Sequence, residues 1–120
     1  MHLQYLDFDD SEDEHGNGSF DAMASASPAQ LPALQAEVLA VLEWAEREFP
    51  GARGPLDDGG QWDYTLDGVR EVATALDVRV VRGELELTAG ETAPPRTTLS
   101  LTLTGTPAFS AAFREAFTQP

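Results

Sequence analysis

The chain contains no cysteine and no lysine, and its only histidines are His2 and His15. Without cysteine there is no disulfide framework and no thiolate nucleophile, and two histidines alone do not make a structural zinc site. Without lysine there is no Walker-type phosphate loop and no Schiff base with a carbonyl substrate or pyridoxal phosphate. A G-x-S-x-G elbow is also missing, and both histidines fall in the first fifteen residues, so no serine nucleophile has a base in a recognisable pattern. No run reaches the roughly 18 apolar residues that span a bilayer, so no membrane contact is expected. The opening MHLQYLDFDD lacks the basic and continuous apolar regions of an export signal, which makes the cytoplasm the default location. No catalytic residue, cofactor or metal ligand is assigned.

What is abundant is acid. Twenty-one Asp and Glu face seven arginines, for a formal net charge of −14. Such a field repels phosphates, whose recognition rests on Lys and Arg, and this argues against direct nucleic-acid binding. The charge is uneven. Segments 22–36 and 97–113 hold no ionisable side chain, whereas Asp7 to Asp21 is acidic throughout apart from His15. Self-repulsion that keeps the protein soluble accounts for the charge; an acidic surface made to meet a basic partner, including by mimicry of nucleic acid, is the alternative.

The acidic stretch DFDDSEDEHGNGSFDAM invites comparison with a calcium loop. Counting from Asp13 puts Gly18 sixth and Asp21 ninth, but Ala24 stands where a bidentate glutamate is required. Counting from Asp7 puts Glu12 in the glycine place. Both flanks alternate as strands, so the stretch is read as a solvated turn built on Gly16-Asn17-Gly18.

At 120 residues the chain has the length of one domain with its own core. Leu3 to Phe8 and Phe20 to Ser25 alternate as two strands of a hairpin, with a loop from Ser11 to Ser19. Ser27, Pro28 and Gln30 have the form of a capping box with proline at the first helical position. A helix follows with Leu34, Val38, Val41, Leu42, Ala45 and Phe49 on one stripe; Pro32 pushes its regular part later, and Pro50-Gly51 ends it. Trp62, Tyr64 and Leu66 alternate as a strand, and Asp67-Gly68 has the form of a tight turn. Val69 to Val81 fits helix and strand spacing alike; its β-branched second half favours strand, with helix over 69–75 as the competing reading. Arg82-Gly83 then turns into Glu84 to Leu87. Leu99, Leu101 and Leu103 alternate with Thr98, Ser100, Thr102 and Thr104 in the clearest strand, and Thr106-Pro107 opens a helix whose apolar face is Phe109, Phe113, Ala116 and Phe117.

The expected fold is α+β: two strands, a helix, three or four strands and a helix, forming one antiparallel sheet of about five strands with both helices on one face. The ending TLSLTLTGTPAFSAAFREAF and the opening LQYLDFD resemble a family of small bacterial proteins with no assigned function. The resemblance implies no catalytic residue.

By elimination the sequence points to a small acidic module that binds another protein in an accessory, regulatory or immunity-like role, or that self-associates. The candidate surface is the uncharged row Thr98, Ser100, Thr102 and Thr104, because charge is what ordinarily keeps a sheet from associating. The competing reading is an enzyme or small-ligand binder using carboxylates in a cleft beside Trp62, Tyr64 or Trp44.

Overall fold

A computed structural model describes residues 2–117. Among them are six strands, β1 (Asp9–Glu12), β2 (Gly18–Ala26), β3 (Trp62–Glu71), β4 (Thr74–Val81), β5 (Glu84–Thr92) and β6 (Arg96–Gly105), and two α-helices, α1 (Leu31–Glu48) and α2 (Pro107–Phe117). The class is α+β, and the paired strands are antiparallel. They form two sheets, not the expected single one: a four-stranded sheet in the order β1-β2-β6-β3 and a two-stranded ribbon of β4 and β5.

The division has a local cause. β3 and β6 pair without interruption from Trp62↔Gly105 to Glu71↔Arg96. The chain then reaches Pro94-Pro95, which have no N–H to give to a ladder. One bond, from the Ala93 N–H to the Ala73 carbonyl at 2.8 Å, crosses the gap before β4 and β5 begin to pair at Thr74↔Thr92. The ribbon ends in Arg82-Gly83, both with positive φ (53° and 79°), the conformation of a two-residue hairpin turn matched to strand twist. Strand, not helix, is therefore the state of the residues after Ala73.

Two other expectations are corrected. Asp67-Gly68 is no turn: both residues lie inside β3, opposite Ser100 and Leu99. A β-carbon on Gly68 would approach Leu99 Cδ2 to 3.1 Å, so glycine here admits the neighbouring leucine. Leu3 to Phe8 forms no strand; β1 begins at Asp9, inside the acidic stretch. The residues before it are held by Glu37 of α1, whose carboxylate accepts from the N–H groups of Gln4, Tyr5 and Leu6 at 2.7–3.2 Å.

The core lies on one face of the larger sheet. Phe20, Ala22, Ala24 and Ala26 alternate with exposed Asp21, Met23 and Ser25 along β2, and Leu101 and Leu103 alternate likewise along β6. They cluster with Leu34, Val38, Val41, Trp44 and Ala45 of α1 and with Phe109 and Phe113 of α2. The capping box is formed, with Ser27 N–H donating to Gln30 Oε1 at 3.1 Å and Gln30 N–H to Ser27 Oγ at 3.3 Å. The regular helix starts at Leu31, as Pro32 requires.

The molecule is elongated, 67 × 30 × 27 Å, with a radius of gyration of 20.2 Å. A compact chain of this length has a radius of about 14 Å. The excess comes from the β4–β5 ribbon, which projects from the body as an arm roughly 26 Å long at about 3.3 Å per residue. Among the described residues no helix is long and apolar enough to cross a membrane.

Candidate functional site

The arm has two unlike faces. Leu76, Val78 and Val80 stand on one side of β4, opposite Ala89, Leu87 and Leu85 of β5. The other side carries Asp77, Arg79 and Val81 opposite Thr88, Glu86 and Glu84. Alternation along a strand normally buries its apolar side. Here it does not: Val80 is 74% exposed, Leu85 66% and Leu87 60%. On the polar face Arg79 pairs with Asp77 at 3.0 Å, an exposed bridge that adds little stability. A two-stranded ribbon is marginal in water unless something covers its apolar side. These aliphatic residues are the most unusual surface on the described chain.

The sequence contained their signal, the even spacing of Val72, Leu76, Val78 and Val80 followed by Leu85 and Leu87. Read as strand, that spacing puts these residues on one face of the expected single sheet. The prolines at 94 and 95 are what detach it.

The row Thr98, Ser100, Thr102 and Thr104 lies on the face of the larger sheet opposite the core. Its neighbours are mixed: register places Thr104 beside Asp63, Ser100 between Met23 and Asp67, Thr102 between Asp21 and Thr65, and Thr98 beside Val69, with Met23 and Val69 both exposed. Asp9 pairs with Asp21 on the next strand. Thr102 Oγ1 donates to Asp21 Oδ1 at 2.5 Å, and Arg96 Nε donates to Ser25 Oγ at 3.1 Å. A shallow depression of about 520 Å³ there is lined by Asp7, Asp9, Asp21, Met23, Ser100 and Thr102. The uncharged row thus lies among aspartates and two exposed apolar side chains, Met23 and Val69.

Trp62 is 1% exposed and stacks on Phe109 with centroids 5.8 Å apart. Trp44 is buried edge-on against Phe109, Phe113 and Phe117. Both are core residues. Tyr64 is half-buried beneath the Arg53 guanidinium, 5.3 Å from the ring centroid. His2 and His15 are exposed.

The acidic turn is organised around one carboxylate. Asp13 Oδ1 accepts from the N–H groups of His15 and Asn17, and Oδ2 accepts from the Asn17 side-chain amide at 3.0 Å. The Asn17 amide, aided by the two backbone donors, holds the Asp13 carboxyl below the usual aspartate range. Among the described residues no group of three or more His, Asp or Glu side chains is placed to hold a metal ion.

Comparison with family models, with curated proteins and with solved structures finds no match to this chain.

Proposed function

We propose that the protein is a non-enzymatic binding module whose contact element is the β4–β5 arm and whose helix-backed sheet is the scaffold that carries it. One observation carries the reading: an aliphatic face on a two-stranded ribbon stands uncovered, Val80 being 74% exposed. Large exposed apolar patches on a soluble chain mark sites of association. The net charge of −14 supports a protein partner over nucleic acid or an anionic membrane surface. The polar row Thr98, Ser100, Thr102 and Thr104 lies among aspartates as well as Met23 and Val69, a surface less uniformly apolar than the arm's aliphatic face.

Photo-crosslinking in cells that make the protein tests this. A photoreactive amino acid at position 78 or 87 is expected to yield covalent protein adducts, and one at position 79 or 86, on the polar face, is not. Equal labelling from both faces, or no adduct from 78 and 87, overturns the reading.

A further inference from the structure

We infer that the arm's occupant is a second copy of this chain: two arms stack apolar face to apolar face, antiparallel, with the tip of each over the base of the other. The inference rests on the binding-module reading above and names its partner.

Three observations point to a second copy in this arrangement. The first is the gradation of side chains along the arm. The cross-strand pair nearest the tip is Val80 with Leu85, the middle pair is Val78 with Leu87, and the pair nearest the base is Leu76 with Ala89. The β5 side of the face is therefore thick at Leu85 and thin at Ala89. A two-fold axis across the middle of the ribbon lays β4 over β4 and β5 over β5, which seats each Leu85 on the partner copy's thin end. A parallel stack, with its axis along the ribbon, lays β4 over β5 and seats each Leu85 on the partner copy's Val80 and each Ala89 on its Leu76; charge decides between the two arrangements. Two-fold contacts of this kind are self-complementary and closed.

The second is area. A ribbon two strands wide and roughly 26 Å long presents a face whose pairing with its equal removes accessible surface on the order of 1,000 Å² in total, which reaches the lower bound of a specific interface.

The third is charge. The arm from Thr74 to Thr92 holds four acids and two arginines, so most of the net −14 sits on the body. Tip-over-base stacking sets the two bodies at opposite ends of the paired arms, farther apart than two Debye lengths of about 8 Å each. The apolar faces carry no charge, and Asp77, Arg79, Glu84 and Glu86 remain in water on the outer sides. The product is a small β-sandwich in which each marginal ribbon covers the other.

Sedimentation velocity from micromolar to several hundred micromolar protein is the first experiment. The parent is expected to shift from monomer to dimer across this range. The V78T/L87T variant, which keeps strand-forming side chains but removes apolar surface, is expected to weaken dimerisation at least 100-fold with the melting temperature of the body unchanged. Arrangement is tested by mixing L85C and A89C proteins with a short bismaleimide. The mixture is expected to give the 85–89 linked pair in excess over either self-linked pair, and E86C is expected to give none. A parent that stays monomeric throughout, or a dimer indifferent to V78T/L87T, overturns the second copy as occupant. Preferred linkage of L85C to itself overturns the antiparallel arrangement. If the parent is monomeric while positions 78 and 87 photo-crosslink a different protein, the binding-module reading stands and this inference alone falls.

Discussion

Gly105 lies against the ring of Phe109 with no room for a β-carbon between them. Gly105 ends β6 directly above α2, and its carbonyl accepts from Ser110 Oγ at 3.3 Å, so the absence of a side chain sets how closely the helix approaches the sheet. G105A is expected to cost about 1–3 kcal/mol, the usual range for forcing extra volume into a packed core. Chemical unfolding against the parent measures it, and a neutral result would mean that α2 can shift outward at little cost.

The two sides of β6 make unequal contributions. Leu101 is 1% exposed, facing the helices between Ala22 and Leu66, whereas Thr102 faces the open side and bonds Asp21. L101A is expected to cost about 2–5 kcal/mol, and T102A within about 1 kcal/mol, the usual worth of one hydrogen bond. Equal losses would imply that both faces of the sheet are covered.

These positions also indicate how much of the molecule was legible in its sequence. The alternation of Leu99, Leu101 and Leu103, the capping box at Ser27, the proline start of α2 and the Arg82-Gly83 turn were all readable, because each depends on neighbouring residues alone. Asp67-Gly68 misled because the same dipeptide that turns a hairpin can also admit Leu99 from an adjacent strand, and only the ten-residue length of β6 decides between them. The Leu3 to Phe8 segment misled because its fate is set by Glu37, more than thirty residues away. The arm's apolar face was visible as a pattern, but its exposure follows from prolines on the returning strand that break the ladder between two pairs of strands. The candidate row at Thr98 to Thr104 was correctly seen as uncharged along its own strand; the aspartates beside it belong to β2 and β3, and register alone brings them there.

Glu37 ties the N-terminal segment to α1 through three N–H donors. E37A is expected to cost about 1–3 kcal/mol, typical of hydrogen bonds to an ionised group, and to speed hydrogen exchange at Gln4, Tyr5 and Leu6 selectively. Exchange that stays slow at these amides would show that burial of Leu6 alone holds the segment.

Asp13 provides a pH dependence of known sign. Its carboxyl is held below the ordinary value of 3.8 in the folded turn, so its contribution is present in full above about that value and is lost as pH falls through the lower, folded one. A carboxyl NMR titration is expected to place the Asp13 midpoint below 3.8, with the Asn17 side-chain amide shifting in step. A midpoint at or above the ordinary value would show that the Asn17 bonds do not form in solution.

S100E/T102E adds two charges to a strip already flanked by Asp21 and Asp67. With association carried by the arm, the double variant is expected to sediment like the parent. Loss of the dimer in S100E/T102E would move the contact surface from the arm to this face.

The break at Pro94-Pro95 gives the chain a form of modularity. Amide bonding runs continuously through β1, β2, β6 and β3, and a single bond carries it on into the arm. The arm can therefore open and close as its own cooperative unit while the body stays folded. Its sequence is also released from the demands of the core. Substitutions that lengthen, recharge or reshape the arm leave the folding free energy of the scaffold nearly untouched, so the arm's sequence can drift in evolution without a matching change in how the rest of the protein folds.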